Sequence, residues 1–294
     1  MNIASKKTLI QILDKYGLAP LKKFGQNFLC DGNIVEKIAD SMNLTKEDNV
    51  LEVGPGLGAL TLAIARRAGK VVAVEIDKGL VCALREILAD TPNVTVLEGD
   101  ILKTDIRQIT NDLFYGSSFH ACGNLPYYIT APCILKLIES GAKSLTAMVQ
   151  KEVAERLSAS PGSKEYGSIT ASVAYYARPQ TLFTVGHACF YPAPEVASAI
   201  VRMDMSSPHF NISRSSYTQI VRAAFAMRRK TIYNNLLAEF SGVNGEKAKQ
   251  TVTDALISCG IRQTARAEEL GPEDFLRLAS WFEQNPMRAS GNTM

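Results

Sequence analysis

Between residues 50 and 150 the chain alternates short apolar, β-branched runs with longer stretches whose apolar positions recur every three to four residues. VLEV (50–53), VVAVEI (71–76), NVTVLEG (93–99), SSFHACG (117–123) and SLTAMVQ (144–150) read as strands, and LTLAIARRAG and KGLVCALREILAD as amphipathic helices. Strands alternating with helices return to one direction by crossover, so the pattern predicts an α/β fold with a mostly parallel sheet. Farther on, TLFTVG (181–186) and ASAIVRM (197–203) flank HACFYPAPEV, whose prolines at 192 and 194 lack the N–H that a central strand needs. An antiparallel pair at the sheet edge is expected there. After SSPHF (206–210), read as a linker, β-branched runs give way to helix formers, which predicts a small helical domain over 211–285. The expected domains are 1–205 and 206–294, with the tail PMRASGNTM frayed.

With 294 residues the chain can bury a core without staples, and 46 % apolar with 21 % charged residues is ordinary for a soluble protein. No apolar run is long enough to span a membrane. Six cysteines form no C-x-x-C pair and three histidines stand at no ligand spacing, so neither a metal site nor a disulfide framework is expected. Free thiols in a reducing compartment, and an N-terminus without a signal-peptide core, point to the cytoplasm. A net charge of +3 implies no polyanionic partner by itself, and no segment reads as a dimer seam, so a monomer is expected.

Candidate chemistry begins at VLEVGPGLGALT, where Gly54, Gly56 and Gly58 follow a strand and open a helix. Glycines there let a ligand lie against bare backbone N–H groups, although a tight turn needing close packing gives the same letters. Glu75 ends the second strand, placed to accept both hydrogen bonds of a ribose diol, and Asp100 follows the third, within reach of an adenine edge. Either alone could be a solvated carboxylate, the more common fate of such residues; three successive strand ends of this kind describe an adenosine site. The fourth strand ends in Asn124-Leu125-Pro126-Tyr127. By itself this is either a strand-to-helix turn or a holder for a flat base. On the adenosine edge the second reading gains: the Asn124 side-chain oxygen and the Leu125 carbonyl make two acceptors for an exocyclic amine, and Tyr127 a stacking face.

The chain resembles the ribosomal RNA adenine N6-dimethyltransferases, and among them the bacterial small-subunit enzymes. The resemblance rests on LKKFGQNFL (21–29), VLEVGPGLGALT (50–61), VEID (74–77), EGD (98–100), NLPYYIT (124–130), MVQKEVAERL (148–157), FYPAPEVASAIVR (190–202) and FAMRRKTIYNNL (225–236). It implies a Rossmann-like S-adenosylmethionine-dependent methyltransferase fold with a mostly parallel sheet, an antiparallel edge and a small C-terminal α-helical domain. The donor would be S-adenosylmethionine, met by Gln26, Asn27, Leu29, Gly54, Glu75, Asp100 and Asn124 with the bare backbone at Gly56. Tyr127 and Phe190 would sandwich the target adenine. The substrate would be 16S rRNA in a small-subunit precursor, dimethylated at N6 of adjacent adenosines. Tyr128, Glu195 and Ala197 depart from the usual Asn, Lys and Asp. From residues alone FGQNFL is a polar turn before a helix. The basic groups Lys22-Lys23, Arg66-Arg67, Arg222 and Arg228-Arg229-Lys230 are either solvated faces or phosphate contacts positioning RNA. Three rivals stay open: a large-subunit rRNA methyltransferase of the antibiotic-resistance type, a DNA adenine methyltransferase, and a non-catalytic transcription or assembly factor of the same fold.

Overall fold

The computed structural model describes residues 3–205, 212–240 and 245–286, apart from the side chain of Lys22. The expected linker 206–210 and residues 287–294 of the expected frayed tail lie outside these. Strands are β1 (Phe28–Leu29), β2 (Asn49–Val53), β3 (Lys70–Glu75), β4 (Val94–Glu98), β5 (Phe119–Asn124), β6 (Ser144–Gln150), β7 (Gln180–Val185), β8 (Phe190–Tyr191) and β9 (Ser198–Asp204). Helices are α1 (Lys6–Lys15), α2 (Gly32–Ser41), α3 (Ala59–Ala65), α4 (Lys78–Ile87), α5 (Ile106–Phe114), α6 (Thr130–Glu139), α7 (Lys151–Leu157), α8 (Ser168–Ala174), α9 (Arg214–Ala224), α10 (Ile232–Glu239), α11 (Gly245–Ser258) and α12 (Pro272–Gln284).

The chain divides into two compact units, Met1–Ala154 with Pro179–Met205, and Glu155–Arg178 with Ser206–Met294. In the first, seven strands lie in the order β4-β3-β2-β5-β6-β9-β7. The five from β4 to β6 are parallel, and β9 runs antiparallel to both β6 and β7. The expected parallel sheet and antiparallel edge are both present. Val50, Leu51 and Val71–Val74 are buried because helices cover both faces of a parallel sheet. Aspartates start the helices that follow. The side chains of Asp31, Asp77 and Asp105 accept the first free N–H groups of α2, α4 and α5, each cap stabilising its helix by about 1 kcal/mol. The order turns about β2: β3 lies on one side and β5 on the other, which opens a crevice at the carboxyl ends of these strands.

Two features depart from the sequence reading. FGQNFL is more than a turn, because Phe28 and Leu29 pair antiparallel with Tyr191 and Phe190 in a separate two-stranded sheet. The pairing ends before Pro192, which has no N–H to extend it. The division at 205/206 also needs correction, since 155–178 group with the second unit. Tyr166, Ala171 and Tyr175 are buried with Tyr217, Val221, Leu256, Phe275 and Leu278 in one apolar cluster. The Tyr217 hydroxyl donates to Ala171 O at 2.8 Å, and that of Tyr175 to Ile212 O at 2.9 Å. Two tyrosines that the helical domain needs for its core, Tyr166 and Tyr175, thus come from the segment between β6 and β7.

Candidate functional site

At the carboxyl ends of β2, β3, β4 and β5 a single cavity is lined by Gly54, Gly56, Glu75, Asp100 and Asn124, with Gln26, Asn27 and Leu29 on the loop before α2. These are the eight residues expected to hold the cofactor. Gly54, Gly56 and Gly58 have φ of +66°, +59° and +86°, the left-handed region that glycine adopts without cost. A Cβ on Gly56 would also come within 3.0 Å of the Phe28 ring, so the loop and β1 are packed backbone to ring.

Glu75 is 4 % exposed. One carboxylate oxygen accepts from the N–H groups of Ile76 (2.9 Å) and Asp77 (3.0 Å), the other from Gly56 N–H at 3.1 Å. Burial raises its pKa, and the three N–H groups oppose that rise. The oxygen facing Gly56 keeps a second lone pair, so a diol can still donate to it. Asp100 Oδ1 accepts from Leu102 N–H at 3.0 Å, while among the described residues Oδ2 has only Lys103 Nζ at 3.9 Å. It therefore offers an acceptor of the kind an adenine amine requires.

The Asn124 amide has a defined orientation. Its Nδ2 donates to the backbone oxygen of Asn27 at 2.8 Å, and a flipped amide would set two oxygens against each other. Oδ1 is left as the acceptor. Leu125 donates its N–H to Met148 O at 3.1 Å, and its own carbonyl is engaged by no other group among the described residues. The turn is held from behind, where the Pro126 carbonyl accepts from Ile129 N–H and from the Thr130 hydroxyl. Two acceptors at the end of β5 thus have no partner among the described residues.

Other expected residues are placed differently. Gln26 lines the cavity, but its oxygen accepts from Leu21 N–H at 2.7 Å and its nitrogen donates to Asp77 at 3.0 Å. It fastens the loop to the cap of α4. Leu125, Tyr127 and Phe190 are not among the cavity-lining residues. Phe190 is 3 % exposed, in a cluster with Leu29, Cys122, Met148 and Ile200, so its ring faces are covered by side chains rather than open to a base. Tyr127 is half-buried, its hydroxyl 3.4 Å from that of Ser198.

The basic groups separate by their ion pairs. Arg66 and Arg67 bond Glu36 and Asp40 on α2, Arg222 pairs with Glu239 at 3.3 Å, and Arg228 with Glu268 at 3.3 Å. Arg229 and Lys230 are exposed and make no ion pair among the described residues. Lys23 is exposed beside the Phe24 ring, 4.7 Å from its centre.

Sequence reasoning missed Glu52. It lines the cavity from inside β2, is 1 % exposed, and its Oε2 has no hydrogen-bond partner among the described residues. Burial pushes its carboxyl up to about 7, the Thr61 hydroxyl opposing the rise and the Glu75 carboxylate adding to it. A lone acid within the apolar run VLEV is the signal that marked it. Among the described residues no group of three or more His, Cys, Asp or Glu side chains could hold a metal ion.

A model of the family described as ribosomal RNA adenine dimethylase matches residues 20–284. The chain is 40 % identical over 283 residues to "Ribosomal RNA small subunit methyltransferase A" of Anoxybacillus flavithermus, covering 95 % of each chain. It is also 40 % identical to the protein of that name from Geobacillus sp., over 95 % of this chain and 97 % of that one. Among solved structures, a dimethyladenosine transferase from Plasmodium falciparum is 26 % identical, with a TM-score of 0.76 over 89 % of this chain and 99 % of that one. The 23S rRNA methyltransferase ErmE is 28 % identical, with a TM-score of 0.64 over 88 % of this chain and 100 % of that one. A glycine loop, two strand-end acids and an asparagine with a free acceptor, on a chain matched by the family model along nearly its whole length, lead to one conclusion: it belongs to the ribosomal RNA adenine dimethylase family.

Proposed function

We propose that the chain transfers two methyl groups from S-adenosylmethionine to N6 of adenosines in small-subunit ribosomal RNA, acting as a cytoplasmic monomer on a precursor of that subunit. The observation that carries this reading is the Asn124 amide, fixed through Asn27 O so that Oδ1 stands beside the cavity with no partner among the described residues. The cavity fits the cofactor's chemistry. Glu75 and Asp100 offer acceptors for a diol and an aromatic amine, and the unpartnered Glu52 Oε2 suits a cationic donor. Gln26, Asn27, Leu29, Gly54 and Gly56 would form the remaining walls. When bound, S-adenosylmethionine supplies a methyl group on a sulfonium whose departure needs no acid.

The chain's own work lies on the amine side. An adenine N6 shares its lone pair with the ring and is a weak nucleophile. Acceptors at Asn124 Oδ1 and Leu125 O take its two hydrogens and favour a pyramidal nitrogen with the lone pair free, stabilisation that grows toward the transition state. No dedicated base is needed, since the methylated nitrogen loses a proton readily. His120 agrees: it bonds Ser144 and Asp48 at the amino ends of β5 and β6, the opposite edge of the sheet. The base must leave its stack to reach the site, which favours a loop or single strand as the target.

The 40 % identity to small-subunit enzymes, against 28 % to ErmE, favours small-subunit over large-subunit RNA. The test is incubation with labelled S-adenosylmethionine and, separately, small-subunit particles, small-subunit rRNA and large-subunit rRNA from cells lacking these modifications. The expected product is N6,N6-dimethyladenosine in small-subunit RNA only. Label in large-subunit RNA alone would reverse the assignment, and label in neither would favour a binding factor.

A further inference from the structure

Tyr128 is not used by the chemistry above. Of the three aromatic rings lining the cavity, Phe28 is buried and Phe24 half-buried; Tyr128 alone is exposed, at 57 %. It belongs to the short turn Tyr127–Ile129 after β5 and reaches the loop before β1, where a Cβ on Gly25 would sit 4.0 Å from its Cδ1. Partial burial raises its hydroxyl's pKa, and the Asp100 and Glu75 carboxylates add to the rise. The ring therefore borders the cavity near the two acids that suit a base edge and a ribose. A planar, largely uncovered ring in that position forms half of a stack and lacks its other half.

We infer that Tyr128 is a positioning residue for the cofactor, its ring packing against the adenine of S-adenosylmethionine while Asp100 meets the base edge. The inference rests on the S-adenosylmethionine reading above. Stacking needs the aromatic face and no hydroxyl, so phenylalanine should replace Tyr128 and asparagine should not. Adenine is common to donor and product, so the contribution should be equal for both.

Calorimetric titration of S-adenosylmethionine and of S-adenosylhomocysteine into the parent, Tyr128→Phe, Tyr128→Ala and Tyr128→Asn tests this. Tyr128→Phe should bind within about twofold of the parent. The Ala and Asn variants should each bind both ligands about 10-fold more weakly, the usual scale of one lost base stack. Thermal midpoints without ligand should stay together, because an exposed ring contributes little to the core. Unchanged affinity in Tyr128→Ala and Tyr128→Asn overturns the inference. So does normal cofactor affinity joined to weakened RNA binding, which would assign the ring to the target nucleotide. A parent that binds neither ligand overturns the cofactor reading itself, so the two failures are told apart.

Discussion

Glu75 has two duties, since its carboxylate accepts three backbone N–H groups as well as facing the cavity. Glu75→Ala should weaken S-adenosylhomocysteine binding by about 1.5–3 kcal/mol, the scale of a charged hydrogen bond, as read by calorimetry. An unchanged affinity would remove the ribose assignment. In the proposed reaction Asn124 acts on the amine instead. Asn124→Ala should slow single-turnover methyl transfer roughly 100-fold, the effect of losing one preorganised partner, while RNA affinity barely moves. The position of Glu75 and Asp100 at the cavity was legible because successive strand ends of a parallel sheet fall on one edge. Glu52 was not, because whether a mid-strand acid finds a partner depends on neighbouring strands and helices. Phe190 shows the same limit: the resemblance implies a stacking face, and packing covers it.

The turn between α9 and α10 shows how an element sets the value of its charges. Asn235, 3 % exposed, donates through Nδ2 to Ala224 O at 2.6 Å, the last carbonyl of α9, and to Met227 O at 3.1 Å in the turn. Arg228 is held by Glu268 and by the Lys164 carbonyl at 3.1 Å. Arg229 and Lys230 are exposed and make no ion pair among the described residues, so of this turn's cations these two are free to meet phosphates. Replacing both with Ala should weaken RNA binding and flatten log affinity against log salt by about 1.4, at about 0.7 per contact on single strands. Cofactor affinity should not change. A slope that stays the same returns this turn to an ordinary solvated surface. The strands were readable because apolar runs bounded by turns have few alternatives. Residues 155–178 were not, because nothing local says which core will take their tyrosines.

For the molecule as a whole, Glu52 sets a dependence of stability on pH. Its folded pKa of about 7 lies above the ordinary 4.5, so the folded state keeps a proton that the unfolded chain gives up. Its contribution is fully present below about pH 4.5 and is lost as pH rises through about 7, a loss of about 3 kcal/mol. Glu52→Gln carries no titrating proton there. The parent's melting temperature should therefore fall relative to the variant's between pH 5 and 7, then run parallel above 8. A constant difference across that range would refute the linkage. The loop from Gly25 to Leu29 has a different reach. It lines the cavity and, through the Asn27 oxygen, holds the Asn124 amide, so in the proposed reaction one short piece of backbone borders both the cofactor and the amine. A ligand that steadies it from either side spares the other part of the ordering entropy, and such favours are mutual by thermodynamic necessity. Saturating S-adenosylhomocysteine should tighten RNA binding, RNA should tighten S-adenosylhomocysteine binding, and the two factors should be equal. An enzyme wired in this way holds its RNA hardest while a cofactor is seated, which suits a base that must be methylated twice.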